Sequence, residues 1–250
     1  VSLVVRSGDQ VCELRLASPP GNILDRALFQ ELSKAVREHG ADPHLKAFLF
    51  TAEGKNFSYG ASVPDHVAGE AEVFLPAFHR FFFDLAETGV PTIAAVQGLC
   101  LGGAFELVAA CNFVVAEKTA AFGVPEIKLG VFPPAACVFL PWKLGAGVAE
   151  DLILTGRNLT AGDGAQHGLV SRLCDEGELE ATVKTLIDKE LRPKSAAALR
   201  FANRAARHTL PLQNLHDLER LYLKELMATR DANEGIAAFL EKRKPTWVDA

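Results

Sequence analysis

Four short apolar runs, at residues 11–16, 47–51, 92–96 and 113–115, are each closed by Gly, Pro or a charged cluster, and helical patterns lie between them. Runs of this length, rich in β-branched residues and bounded by such breakers, read as buried strands. Leu28, Leu32 and Val36 recur every fourth residue behind Asp25, a good N-cap, and predict an amphipathic helix that stops at Gly40. Phe74, Phe78, Phe81, Phe82 and Leu85 form one face of a second helix, read as core packing or, alternatively, as the wall of a flat ring pocket. Pro76 is tolerable there only within the first turn. Strands and helices alternating in this order predict an α/β architecture with layered sheets.

From about Ser195 the texture changes. Residues 196–207, 215–228 and 232–243 are rich in Ala, Leu and Glu at helical spacing, with no strand pattern among them. Their apolar faces need a partner surface, either the core or another subunit. The chain is accordingly divided into a core at residues 1–194 and a helical region at 195–250, without an internal repeat or a long linker.

Composition narrows the function. Hydrophobic residues make up 49% and charged residues 23% of the 250, which excludes disorder and fibrous repeats. Lys and Arg number 26 against 31 Asp and Glu, a net charge of −5, so no basic field is available for nucleic acid. The five cysteines, Cys12, Cys100, Cys111, Cys137 and Cys174, stand singly and read as buried reduced thiols, without metal-ligand spacing. No apolar run reaches the ~18 to 20 residues of a membrane span, and no targeting segment is evident. A cytoplasmic protein without a membrane or nucleic-acid partner is expected.

Two glycine turns carry the chemistry. One is Phe57-Ser58-Tyr59-Gly60-Ala61-Ser62; the other is Leu101-Gly102-Gly103-Ala104-Phe105-Glu106. Glycine lets a ligand approach main-chain N–H groups closely. Residues 104–110 continue as a strong helix former, which puts Gly102 and Gly103 at a helix N-terminus, where unpaired amides favour an oxyanion. Glu106 follows in the first turn among apolar neighbours, and Glu126 lies twenty residues on, also in apolar surroundings. Two such carboxylates can be driven to different pKa values and supply one acid and one base. Each alone also reads as a helix-dipole partner or a buried ion pair.

The stretch Ala95-Val96-Gln97-Gly98 through Leu107, then Ala121-Phe122-Gly123-Val124-Pro125-Glu126-Ile127 and Leu129-Gly130, closely resembles the crotonase (enoyl-CoA hydratase/isomerase) superfamily. Phe57 to Ser62, Leu154-Thr155-Gly156, Ala165 to Val170 and the closing Glu234-Gly235 to Lys244-Pro245 extend the resemblance over nearly the whole chain. It implies a β-β-α superhelix of the crotonase type, with a C-terminal helical region that supports a homotrimer or a dimer of trimers. It also implies that the Ala61 and Gly103 amides hold the thioester oxygen of an acyl-CoA and that Glu106 and Glu126 act as the acid/base pair. Lys55, Tyr59, Gly60, Ser62, His66 and Pro134 would border the substrate, Lys55 near a coenzyme A phosphate. No metal is implied, and no cofactor beyond the coenzyme A of the substrate.

The chain departs from the family pattern at Ser62, where many members carry Asp, and at Phe132-Pro133-Pro134-Ala135-Ala136-Cys137-Val138, where a glycine-rich turn is usual. Pro134 fixes φ and removes an N–H, so an acyl group or water would be held differently there. With Asp65-His66 and Val131-Phe132, these departures are most similar to hydratases acting on a cyclic conjugated dienoyl thioester. His66 reads either as a loop or capping residue or as pocket lining, and Lys242, Arg243 and Lys244 as a nucleotide contact or a solvated face. An isomerase or ring hydrolase of an alicyclic acyl-CoA, and a non-enzymatic acyl-CoA binder, remain as alternatives.

Overall fold

The computed structural model describes residues 2–249. The chain opens with β1 (Leu3–Gly8), β2 (Val11–Leu16), α1 (Arg26–Gly40), β3 (Ala47–Ala52), α2 (Ala71–Thr88) and β4 (Thr92–Val96). It continues through β5 (Leu99–Leu101), α3 (Gly103–Ala110), β6 (Phe113–Glu117), β7 (Ala121–Gly123), α4 (Pro134–Leu144), α5 (Ala146–Thr155) and β8 (Asn158–Thr160). The last elements are α6 (Ala161–Gln166), β9 (Arg172–Cys174), α7 (Leu179–Thr185), α8 (Ala196–Ala206), α9 (Asn214–Arg220) and α10 (Arg230–Leu240).

Six strands form one sheet in the order β1-β2-β3-β4-β6-β9, and β5, β7 and β8 form a second. Apart from the antiparallel β1–β2 hairpin, the large sheet is parallel. All five residues of β4 are buried, as a parallel strand covered on both faces requires. After β2, β3, β4 and β6 the chain makes a second extended pass before a helix, and these passes bridge one another: Leu24 to Ala61, Ser58 to Cys100, and β5 to β7. The result is four β-β-α turns. Because they start at residues 11, 47, 92 and 113, they share no fixed period, and the repeat is invisible in the sequence.

The sequence-derived helices form largely as expected. Asp25 caps α1 by accepting from the Leu28 N–H at 2.8 Å, and Gly40 is its last residue. The five apolar residues singled out in α2 are all buried in the main core, where Phe78 lies 4.5 Å from Phe29 and Phe82 lies 5.0 Å from Phe139, centroid to centroid. Their role is packing. The requirement for Pro76 needs correction: α2 starts at Ala71, so Pro76 stands in the second turn. On the exposed face it forfeits only the bond to the Glu72 carbonyl, and the phenylalanine packing outweighs that loss.

A second, smaller core fills the other face of the sheet, where Ile93 and Val115 meet Val183, Ile187 and Leu191. The C-terminal helices join the main core through Leu215, Tyr222, Ala232 and Ile236, yet leave Phe201 70% exposed. Between α1 and α2, the buried carboxylate of Asp84 accepts from Arg80 Nε at 2.7 Å and pairs with Arg37. Both guanidinium groups reach water, so removing the carboxylate costs its hydrogen bonds without stranding a buried cation. Asp84→Asn is expected to lose about 1–3 kcal/mol, read as a lower urea midpoint, with activity per folded molecule retained.

Candidate active site

The backbone of residues 57–62 is fixed on both sides. Ser58 N–H donates to the Leu99 carbonyl and Leu101 N–H to the Ser58 carbonyl, while Leu24 N–H donates to Gly60 and Ser62 N–H to Leu24. Asn22, 1% exposed, spreads its side-chain amide over the carbonyls of Glu53, Asn56 and Phe57 at 2.9, 3.2 and 3.0 Å. Ser58 Oγ donates to the Asn22 carbonyl and accepts from Gly60 N–H at 3.0 Å. Gly60 has φ +101°, and a Cβ on it would stand 2.6 Å from the Leu101 carbonyl oxygen, so no other residue lets the two loops approach this closely. Among the described residues, the Ala61 and Gly103 amides have no acceptor. Gly103 opens α3, where an N–H has no partner in its own helix.

Both glutamates arrive at these amides. A Cβ on Gly103 would lie 3.2 Å from Ala61 Cβ, 3.6 Å from Ala61 N and 3.7 Å from Glu106 Oε2. A Cβ on Gly102, whose φ is +50°, would lie 2.6 Å from Glu126 Oε1. Glu106 is 3% exposed, and its Oε1 accepts from the Ala136 N–H at 2.8 Å, in the first turn of α4. Glu126 sits on the single 3-10 turn Pro125–Leu129, with Oε2 buried and unpartnered in the chain. That turn is braced from outside. A Cβ on Gly130 would stand 2.8 Å from the Asp231 carbonyl, and one on Gly235 of α10 would overlap the Leu129 carbonyl.

Burial pushes the Glu106 carboxyl up to about 7, against the pull of the Ala136 and Ala135 amides. Burial, and then the charge of Glu106, drive Glu126 well above the usual carboxylate range. The asymmetry has a plain cause. Glu106 accepts from two amides at the N-terminus of α4 and Glu126 only from its own N–H, so Glu126 holds the proton when the pair carries one charge.

The other expected residues are placed as follows. Pro134 is buried at the start of α4, where its missing N–H costs nothing and leaves the next two amides free for Glu106. Tyr59 is 43% exposed, and its hydroxyl accepts from Asn56 Nδ2 at 3.1 Å. Lys55 is exposed, and Ser62 and His66 are half-buried. His66 ends a short 3-10 turn, Val63–His66, its Nδ1 lying 2.8 Å from the Ser62 carbonyl; burial lowers its pKa and keeps it neutral near pH 7. Arg243, of the cluster read as a nucleotide contact or a solvated face, is ion-paired with Glu234 and Glu241 and remains 40% exposed.

Sequence reasoning missed the Asn22 side chain, which holds the residue 57–62 loop, and the Ala135 and Ala136 amides, which hold Glu106. The Pro-Pro pair ahead of Ala135 was a usable sign of a helix start. Cys137, read as a buried thiol, is half-buried, and burial together with Glu106 and Glu126 pushes it up to about 12.

The model of the enoyl-CoA hydratase/isomerase family matches residues 6–250. The chain belongs to the enoyl-CoA hydratase/isomerase family. Within it, the chain is 43% identical over 237 residues to the cyclohexa-1,5-dienecarbonyl-CoA hydratase of Thauera aromatica, covering 94% of this chain and 91% of that protein. It is 39% identical to a probable enoyl-CoA hydratase of Mycobacterium leprae, over 91% and 90% of the two chains. The crystal structure of an enoyl-CoA hydratase/isomerase from Pseudoalteromonas atlantica superposes with a TM-score of 0.88 at 29% identity, covering 99% of this chain and 100% of that one. The fold is thus the crotonase fold of this hydratase/isomerase family.

In a carboxyl whose pKa is raised on folding, the native state holds a proton that the unfolded chain releases, so stability falls as pH rises from the unfolded value of 4.5 through the native one. Glu126→Gln removes part of that dependence. Its melting temperature relative to the parent chain is expected to climb steadily from pH 5 to pH 8, as followed by thermal denaturation.

Proposed function

We propose that this enzyme of the enoyl-CoA hydratase family adds water to a cyclic conjugated dienoyl-CoA, with cyclohexa-1,5-diene-1-carbonyl-CoA of benzoyl-CoA degradation as substrate and 6-hydroxycyclohex-1-ene-1-carbonyl-CoA as product. The observation that carries hydration is the convergence of two unpaired amides, Ala61 and Gly103, with two buried carboxylates of unequal proton affinity. The identity to the Thauera aromatica enzyme and the Pro133-Pro134 departure from the usual glycine turn support the ring substrate.

The thioester oxygen accepts from the Ala61 and Gly103 N–H groups, which stabilise the negative charge that develops there; loss of one such donor costs roughly 3–4 kcal/mol in comparable sites. Glu106, held ionised by the α4 amides, takes a proton from water as the oxygen bonds to the β-carbon of one ring double bond. The electron pair moves onto the thioester oxygen as an extended enolate. Glu126, holding the proton at rest, delivers it to the far carbon of the second double bond, and the remaining double bond closes between them. Water is thereby added across the two ends of the diene.

In the same reading Lys55 meets a coenzyme A phosphate, and Tyr59, Gly60, Ser62, His66 and Pro134 border the thioester. The reaction needs no cofactor beyond the coenzyme A of its substrate. A homotrimer or dimer of trimers in the cytoplasm, built on the C-terminal helices, would cover apolar surface such as Phe201.

Incubation with the dienoyl-CoA and with crotonyl-CoA, each followed by loss of conjugation, tests the substrate. Faster hydration of the dienoyl thioester is expected, and turnover of crotonyl-CoA alone would refute the ring assignment. Glu106→Gln and Glu126→Gln are each expected to lower kcat by at least about 100-fold, with the fold retained by circular dichroism.

A further inference from the structure

Among the described residues, three side-chain oxygens are buried without a hydrogen-bond partner, and two of them belong to this site: Glu126 Oε2 and Tyr222 Oη. Tyr222 is one of only two tyrosines in the chain and is 1% exposed. It stands on the π-helical turn Leu221–Glu225 that continues α9 toward the site. Its ring packs edge-on against Phe132 with centroids 5.5 Å apart, just ahead of the prolines that open α4. Phenylalanine would fill that space equally well. A buried hydroxyl left unpaired costs about 1–3 kcal/mol, so packing gives no reason for the oxygen. Burial, then Glu126 and Glu106, raise its phenol well above the ordinary range, which keeps it a hydrogen-bond donor.

We propose that Tyr222 is a further catalytic residue, whose hydroxyl donates a hydrogen bond to the oxygen of the reacting water beside the two carboxylates. This rests on the hydration chemistry set out above. A water in that position makes four directed contacts: one lone pair accepts from Tyr222 Oη, and the other faces the β-carbon to which the oxygen bonds. One hydrogen points to Glu106 and the second to Glu126 Oε2. As the carbon–oxygen bond forms, the first hydrogen passes to Glu106 as a proton. Tyr222 keeps its own proton throughout. Fixing the oxygen in this way supplies orientation rather than acidity, and in the dehydrating direction the same bond steadies the departing hydroxide.

Tyr222→Phe in the full chain tests the assignment, with kcat, KM and melting temperature measured together. On whichever thioester the parent enzyme hydrates faster, kcat is expected to fall roughly 10- to 100-fold, with KM changed less than about threefold. The melting temperature should stay the same or rise, because an unpaired polar atom has been removed. In a Glu126→Gln background the further loss should shrink, since both groups act on one water. A kcat within about twofold of the parent would overturn the proposal, and so would a lowered melting temperature with unchanged kcat per folded molecule. If the parent hydrates crotonyl-CoA but not the dienoyl thioester, the ring assignment fails and Tyr222 is judged on crotonyl-CoA. If it hydrates neither, the hydration reading falls and the role of Tyr222 falls with it.

Discussion

The bond from the Ala136 N–H to the Glu106 carboxylate is the contact on which the site depends. Two carboxylates buried side by side are unfavourable, and without donors both would be neutral and catalytically idle. The N-terminus of α4 supplies donors to one of them only, through Ala136 and Ala135. Glu106 thereby keeps its charge more readily than Glu126, and the pair becomes unequal. The same bond ties α4 to α3, whose first residue presents the free amide of Gly103. Proton affinity and oxyanion geometry are therefore set by one piece of packing.

The start of α4 also explains how the chain manages without the usual glycine-rich turn. Pro133 and Pro134 donate nothing, but at a helix start nothing is required of them, and their fixed φ aims the following amides at Glu106. Rigidity takes the place of close approach there. On the opposite wall the approach is kept, with Gly60 against the Leu101 carbonyl and the loop held by Asn22 and Ser58. One side of the site is shaped by small residues and the other by stiff ones.

How much of this is legible in sequence depends on whether the signal is local. β2 and β4 begin and end where their apolar runs do, and α1 is capped by Asp25 as its pattern predicts. β5, β7, β8 and β9 have three residues each, too few to show a period, and exist because neighbouring passes bridge them. Gly103 and Glu106 stand out because a glycine pair and a lone charge interrupt an apolar helix. Asn22 and Tyr222 do not, because the carbonyls that Asn22 holds are more than thirty residues away and the Tyr222 hydroxyl has no partner among the described residues. Pro76 shows the converse: the local rule against proline is sound, yet the phenylalanine face of α2 overrides it.

Gly235 presses α10 onto the Leu129 carbonyl, at the end of the turn that carries Glu126. An outer helix, more than a hundred residues along the chain from its target, thus acts as a splint for a turn that holds a buried carboxyl. Rearrangement on the molecule's periphery would be felt as altered acidity in its interior, so that substitutions in an outer helix could tune a buried carboxyl they do not touch.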